Sequence, residues 1–367
     1  MKRIVMFIDS LGSGGAQRQV VNVARLLKQV GYDVEVLVYR DLPFYNHILE
    51  EAEIPIALID AKNYASRLLK SRRWLNRSHA DVVIAFLEAP GFISCFSKIG
   101  HKKWKLITTE RSAKMETFTS RRGRIYNRFE RFSDAKVGNS QNAMRLWRKY
   151  YPQYEKKYSV IYNHVAISEE YMSQEHVYLE NGKLRVIVAA SYQELKNPIR
   201  VIEAIKFLTK EQKENLDLHW YGSIEVTTGN TETYDRSVEL IREYGLENCI
   251  SLHQETNDIY RIMAEGDVVG LFSTVEGLPN AVCEGMTVGR PILMSRVSDY
   301  DVLVSDNGVL CDPESVESIR DALASMLSLS AQDLERMGLA SQKKAETLFS
   351  ADAITKQWSD LIERLTN

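Results

Sequence analysis

The stretch that decides the fold is Val268-Val-Gly-Leu-Phe-Ser-Thr-Val-Glu-Gly-Leu-Pro-Asn-Ala-Val-Cys-Glu284. Val268 to Phe272 is a short apolar run of the kind a buried strand needs. The chain then turns through Ser273 to Leu278 and enters a short helix that Gly289 and Pro291 close. Pro279 suits the first helical turn, where a missing N–H costs nothing. The amides of Gly277, Leu278 and Asn280 are then expected at a helix N-terminus, which favours a phosphate or an oxygen-rich ligand. Glu276 precedes the helix and Glu284 lies eight positions later, on its second turn. A carboxylate accepts on both oxygens and can hold two neighbouring hydroxyls.

Strand–turn–helix units recur on both sides of this stretch. Downstream, Ile292 to Met294 is a further strand, and a helix is expected from Ile354 to Leu365. Upstream, Leu184 to Ala190 is a strand leading into a helix from Pro198 to Leu208, with strands at Leu216 to Tyr221 and Ile250 to Leu252. The first half opens with a strand, Arg3 to Asp9, and the turn Gly12-Ser-Gly-Gly15. A helix from Ala16 to Val30 ends at Gly31, followed by a strand from Val34 to Tyr39 and apolar runs at Val82 to Phe86, Leu106 to Thr108 and Ala135 to Val137. Alternating strands and helices argue for two doubly wound α/β domains with parallel sheets, whose ligands sit beyond the carboxyl ends of the strands. The polar segment from Tyr162 to Asn181 is the expected boundary.

Composition agrees with two cores. The chain has 367 residues, 44% hydrophobic and 26% charged. No run approaches the roughly 20 apolar residues of a membrane span, and Asp9 interrupts the N-terminal run too soon for a signal peptide. Cys95, Cys249, Cys283 and Cys311 are scattered without metal-ligand spacing, so a reduced cytoplasmic compartment is the default. Net charge is −2, but residues 101–150 hold 14 Lys plus Arg against 4 Asp plus Glu, a local net of +10. Such a surface attracts an anionic bilayer or a phosphorylated acceptor. Aromatics stand within it (Trp104, Tyr126, Phe129, Trp147), but no nucleic-acid-binding module is recognisable.

The Glu276-x7-Glu284 spacing around Gly277-Leu278-Pro279 resembles the signature of retaining glycosyltransferases of GT-B architecture, the large family 4 (group 1). The likeness extends over nearly the whole chain: Gly14-Gly-Ala-Gln-Arg18, Val160-Ile-Tyr-Asn163, Lys196-Asn197, Ser273 to Met286, and the ending from Phe349 to Leu365. It implies two Rossmann-like domains facing a central cleft: an acceptor domain over 1–165, a nucleotide-sugar domain over 166–348, and a helix over 349–367 crossing back. It implies that Glu276 contacts the donor sugar, that Glu284 holds the ribose, and that the Gly277 and Leu278 amides, with Pro279 and Asn280, frame the donor. It gives Lys196 the diphosphate, and gives Gly14 and Gly15 a close approach to sugar and phosphates.

The expected reaction is transfer of a hexose-type sugar from a nucleotide-sugar, a UDP-sugar by family frequency, to a glycan or a polyprenyl-diphosphate-linked glycan. The setting is bacterial capsule or lipopolysaccharide O-antigen assembly, with no cofactor, no metal and no nucleic acid. The expected location is cytoplasmic, touching the inner face of the membrane peripherally through the basic N-domain.

Two positions depart from the family pattern. The Arg usual five residues before Lys196 is Ser191, leaving one diphosphate cation to be supplied elsewhere, with Arg18 and Arg111 as candidates. In place of the usual N-domain His stands Thr108-Thr-Glu-Arg-Ser112, which makes Glu110 and Arg111 candidate site residues. The bland alternative for Glu110 and Arg111 is a surface ion pair, worth little, and for Gly12 to Gly15 a plain tight turn. His164 and His253 read as structural histidines, and Asp299-Tyr-Asp301 as a loop rather than a metal site. A nicotinamide-dependent oxidoreductase would explain Gly12-x-Gly14, but Gln17 breaks the glycine fingerprint. A nucleotide-sugar 2-epimerase or a catalytically silent sugar-nucleotide-binding protein would keep the fold and change the activity.

Overall fold

The computed structural model describes residues 1–100, 103–112, 115–172, 176–225 and 229–367. Lys102 and Lys114 of the basic segment lie outside them. Internal contacts divide the chain into an N-terminal unit, Met1–Ala166 with Ser350–Asn367, and a C-terminal unit, Ile167–Phe349.

The N-terminal unit holds seven strands: β1 (Arg3–Phe7), β2 (Asp33–Val38), β3 (Ile56–Leu58), β4 (Val82–Ala85), β5 (Lys105–Glu110), β6 (Ala135–Gly138) and β7 (Tyr158–Val160). They pair in the order β3-β2-β1-β4-β5-β6-β7, and every pair is parallel. Ile4 to Phe7 and Val82 to Ala85 are fully buried, as strands covered on both faces must be. The helix Gly15–Gln29 buries Val20, Val23, Ala24 and Leu27, the stripe its periodicity predicts. It ends before Gly31, whose φ of 92° is the left-handed region glycine tolerates best. The last helix, Ala351–Thr366, belongs to this unit and buries Ile354, Trp358, Leu361 and Ile362. An ion pair from Lys2 and a hydrogen bond from Tyr32, both to Glu363, hold its end.

The C-terminal unit holds β8 (Leu184–Ala189), β9 (Leu216–Gly222), β10 (Ile250–Gln254), β11 (Val268–Leu271), β12 (Ile292–Ser295) and β13 (Gly308–Cys311). Their order is β10-β9-β8-β11-β12-β13, again all parallel. Both sheets therefore reverse winding beside their first strand, between β1 and β4 and between β8 and β11. That crevice is where doubly wound sheets take ligands.

Three short strands escaped the sequence reading. β3, β7 and β13 have three or four residues each and are only partly buried, so neither alternation nor a long apolar run marks them. Among the described residues, no helix is long and apolar enough to cross a membrane.

Candidate functional site

In the C-terminal unit the predicted residues gather at the carboxyl ends of β8 and β11. β8 runs out into a short 3-10 turn, Glu194–Lys196, and then the helix Pro198–Lys206. Between them Asn197 sits at φ 71°, a conformation asparagine accepts more readily than most residues. Its buried side-chain amide donates to the carbonyls of Phe272 (3.2 Å) and Pro313 (2.8 Å). The Thr274 amide donates to Leu195 O at 2.8 Å. These bonds fasten the Lys196 turn to the loop after β11. Lys196 Nζ then reaches Glu276 Oε1 at 2.6 Å, and Ser273 Oγ donates to the same oxygen at 2.7 Å. Both charged side chains are mostly shielded, 21% and 12% exposed. Two groups 80 residues apart in sequence are thus brought into one pair.

The helix after the loop runs Asn280–Thr287, so Pro279 precedes it instead of opening its first turn. The correction is one of position: the Pro279 carbonyl accepts from Val282 and Cys283, and its missing N–H still falls outside the helical ladder. The amides of Gly277 and Leu278 take no acceptor among the described residues. The Gly277 carbonyl accepts from the Ser298 hydroxyl, which fixes the peptide whose N–H belongs to Leu278. Glu284 lies on the second helical turn as expected, only 8% exposed, and Tyr260 OH donates to its Oε1 at 3.3 Å. Ser191 follows β8 with its carbonyl accepting from Gln193 at 2.8 Å. It brings no charge to this end of the sheet.

The N-terminal unit presents a different set. Gly14 precedes the first helix at φ 175°, an extended backbone, and Gly15 is the first helical residue. Glu110 ends β5, and its carboxylate accepts from Trp147 Nε1 (3.0 Å), the Ser112 amide (3.1 Å) and the Ser112 hydroxyl (3.2 Å). Arg111 turns to other partners: one terminal nitrogen donates to Asn163 Oδ1 at 2.9 Å, and the guanidinium lies 4.6 Å from the Phe86 ring centre. Burial pulls its guanidinium down to about 10, and nearby Glu110 offsets part of that shift. The two side chains are separately engaged.

The remaining sequence candidates have structural surroundings. The backbone of His164 exchanges two hydrogen bonds with the Gln19 side-chain amide. His253 Nε2 lies 2.9 Å from His219 Nδ1, and Asp217 meets the far side of His219 at 3.0 Å. Asp299 is fully buried before the short helix Tyr300–Leu303, while Asp301 is exposed within it. Among the described residues, no cluster of three metal-ligating side chains occurs.

Sequence reading assigned no individual role to Ser273, Tyr260, Ser298, Asn163, Trp147 or Asn197, although Ser273, Asn163 and Asn197 stand in segments that carry the family resemblance. Only Asn197-Pro198 carried a usable signal, since that dipeptide marks a turn and so a fixed geometry at Lys196. The others act through distances along the chain that no local pattern encodes.

Comparison with known proteins gives the family and the fold. Two family models together span most of the chain: "Glycosyltransferase Family 4" over residues 13–169 and "Glycosyl transferases group 1" over residues 173–344. A Campylobacter jejuni α-1,4-N-acetyl-D-galactosaminyltransferase, named for GalNAc-α-(1→4)-GalNAc-α-(1→3)-diNAcBac-PP-undecaprenol, is 25% identical over the full length of both chains. A second from that organism, an N-acetylgalactosamine-N,N'-diacetylbacillosaminyl-diphospho-undecaprenol 4-α-N-acetylgalactosaminyltransferase, is 24% identical over 95% of this chain and 94% of its own. Among solved structures, Anabaena HepE in complex with UDP superposes with a TM-score of 0.83 at 17% identity, covering 99% of this chain and 100% of that one. The chain belongs to the group 1, family 4 glycosyltransferases, and is a glycosyltransferase of the GT-B fold.

Proposed function

We propose that this glycosyltransferase moves a sugar, with retention of configuration, from a UDP-sugar to a polyprenyl-diphosphate-linked glycan in bacterial surface polysaccharide assembly. The observation that carries the donor half is the Lys196–Glu276–Ser273 cluster, with Glu284 held nearby on the helix that follows. A nucleoside diphosphate is a leaving group whose negative charge grows in the transition state. Fixed cations and amide donors lower that barrier by standing in place beforehand. Lys196 is the cation, and the Gly277 and Leu278 amides are the donors. Glu276 takes the sugar hydroxyls, and Glu284 takes the ribose hydroxyls. Pro279 and Asn280 frame the loop, and Gly14 and Gly15 admit the donor closely on the N-terminal unit. The acceptor hydroxyl attacks on the face the diphosphate leaves, and the departing phosphate oxygen accepts its proton. Glu110 and Arg111 are the acceptor-side candidates. No metal or other cofactor is needed, so a chelator leaves the rate unchanged.

Support for the donor comes from the HepE structure with UDP, and for the acceptor from the two Campylobacter relatives named for undecaprenyl-linked substrates. Support for a membrane partner comes from the helix Arg121–Arg128. Arg121, Arg122, Arg124 and Arg128 are exposed there, and so is Ile125 at 54%. An apolar side chain ringed by cations fits an anionic bilayer at the cytoplasmic face.

The test is incubation with UDP-sugars and a short-chain polyprenyl-diphosphate glycan, followed by NMR of the new anomeric centre. Transfer with retained configuration is expected. Turnover of the donor to an epimer without acceptor would overturn the transferase chemistry. Co-sedimentation with anionic vesicles tests the membrane partner: binding should fall with salt and with Arg121→Glu/Arg124→Glu, and binding indifferent to both contradicts it.

A further inference from the structure

The N-terminal unit contains a cation whose setting its own chain does not complete. Arg111 follows β5, Asn139 follows β6 and Asn163 follows β7, so all three stand at the carboxyl edge of the sheet. Gly138 is the register partner of Glu110, which sets Asn139 beside Arg111. Arg111 Nε is sealed from solvent without a hydrogen-bond partner, and so are Asn139 Oδ1 and Thr109 Oγ1. Buried polar atoms are matched in nearly all folded proteins, so a charged donor such as Arg111 Nε left unmatched asks for an acceptor.

The character of that acceptor follows from charge. The partners of the guanidinium are a neutral amide oxygen and a ring face. Glu110, next along the chain, spends its carboxylate on Trp147 and Ser112. A sheltered guanidinium without a bound carboxylate is costly unless an anion completes it. Its planar fork suits a phosphate, which can accept two parallel N–H bonds.

We propose that Arg111, oriented by Asn163 and Phe86, is a phosphate-recognition group of this enzyme. This rests on the glycosyltransferase reading above, in which both donor and acceptor carry a diphosphate, and the chemistry is shared by the two.

The test begins with calorimetric titration of inorganic pyrophosphate into Lys196→Ala, where the C-terminal site is weakened, and into Lys196→Ala/Arg111→Met. Met keeps apolar packing on Phe86 and removes the charge. At least a tenfold loss of pyrophosphate affinity on adding Arg111→Met is expected; equal affinity overturns the proposal. If the double variant does not fold, protection replaces it. Saturating pyrophosphate should slow phenylglyoxal modification of Arg111 in Lys196→Ala, read by mass spectrometry, and unchanged labelling overturns the proposal.

The source is then separated in the single Arg111→Met variant. A selective loss of UDP affinity assigns the phosphate to the donor. A selective loss for a short-chain polyprenyl-diphosphate sugar assigns it to the acceptor. Unchanged affinity for both contradicts phosphate recognition, and the donor reading still stands if UDP binding continues to depend on Glu284.

Discussion

The two sheets are alike at their amino ends and unlike at their carboxyl ends. In the N-terminal unit, Asp81 stands just before β4: its amide donates to Arg3 O at 2.9 Å, and its carboxylate accepts from the Arg3 amide at 2.8 Å. In the C-terminal unit, Asp267 stands just before β11 and makes the same two bonds with Arg185, at 2.9 and 2.8 Å. Arg3 pairs in register with Asp33 and meets its carboxylate at 3.6 Å; Arg185 pairs with Asp217 and meets its carboxylate at 3.3 Å. One clasp is thus used twice to set the switch point between the first and fourth strands. At the opposite ends, one sheet offers Lys196, Glu276 and Glu284, the other Glu110 and Arg111. The clasp recurs where the chain repeats itself, and the proposed substrate groups stand where it does not.

The largest effect that would sharpen this contrast is on turnover. Lys196→Ala or Glu276→Ala should lower the transfer rate by about 100- to 1000-fold, the scale of losing one preorganised charge-stabilising group. The pair is mostly shielded, so removing one partner leaves the other charge uncompensated and should also cost about 1–3 kcal/mol of stability. A large loss of stability with activity preserved in the folded fraction would break the contrast.

At the amino ends the effect should be on stability alone, and unequal. Asp267 is only 4% exposed and also accepts from the Leu179 amide and from His176. Asp267→Ala should cost about 2–4 kcal/mol, because several buried bonds to a carboxylate are lost together. Asp81 is exposed, and Asp81→Ala should cost about 0.5–1 kcal/mol. Urea unfolding of the two variants checks the ranking, and equal costs would contradict it.

Two glycines at carboxyl ends separate packing from ligand approach. A Cβ on Gly222 would stand 2.0 Å from the Ala190 carbonyl oxygen, a backbone atom that cannot swing away. Gly222→Ala should therefore cost about 1–3 kcal/mol through overpacking. A Cβ on Gly14 would meet only the movable end of Gln17. Gly14→Ala should leave stability within about 0.5 kcal/mol while weakening donor binding. Unchanged donor affinity would return Gly14 to the reading of a plain turn.

The smallest expected effect is a pH response near His253. Burial, and then the neighbouring His219, push its imidazole below the ordinary 6.5. The unfolded chain therefore binds this proton more readily than the folded one. The contribution is whole above pH 6.5 and declines as pH falls through the window beneath it. His253→Gln should flatten the fall in urea midpoint between pH 7 and pH 5, and an unaltered slope would remove His253 as its source.

Much of this was legible in the sequence, for reasons visible at particular residues. Val268 to Glu284 announced strand, loop and helix because a buried run, a proline and a closing glycine coincide there, and Glu276 and Glu284 came with it. The alternation of strands and helices sufficed for two doubly wound sheets. What was not legible depends on partners far along the chain. Lys196 meets Glu276 only because Asn197 adopts a left-handed turn and binds two carbonyls. Glu110 and Arg111 are neighbours in sequence, yet one turns to Trp147 and the other to Asn163. Strands as short as β3 and β7 leave no periodic trace at all.

The central claim is that the C-terminal unit holds a nucleoside diphosphate through Glu284. The direct measurement is a thermal-shift comparison of UDP, GDP, ADP, dTDP and NAD on the wild type and on Glu284→Ala. UDP at about 100 times its dissociation constant should stabilise the wild type by about 2.7 kcal/mol, and the shift should vanish in Glu284→Ala. Stabilisation by NAD alone, or a UDP shift of equal size in both proteins, would contradict the claim.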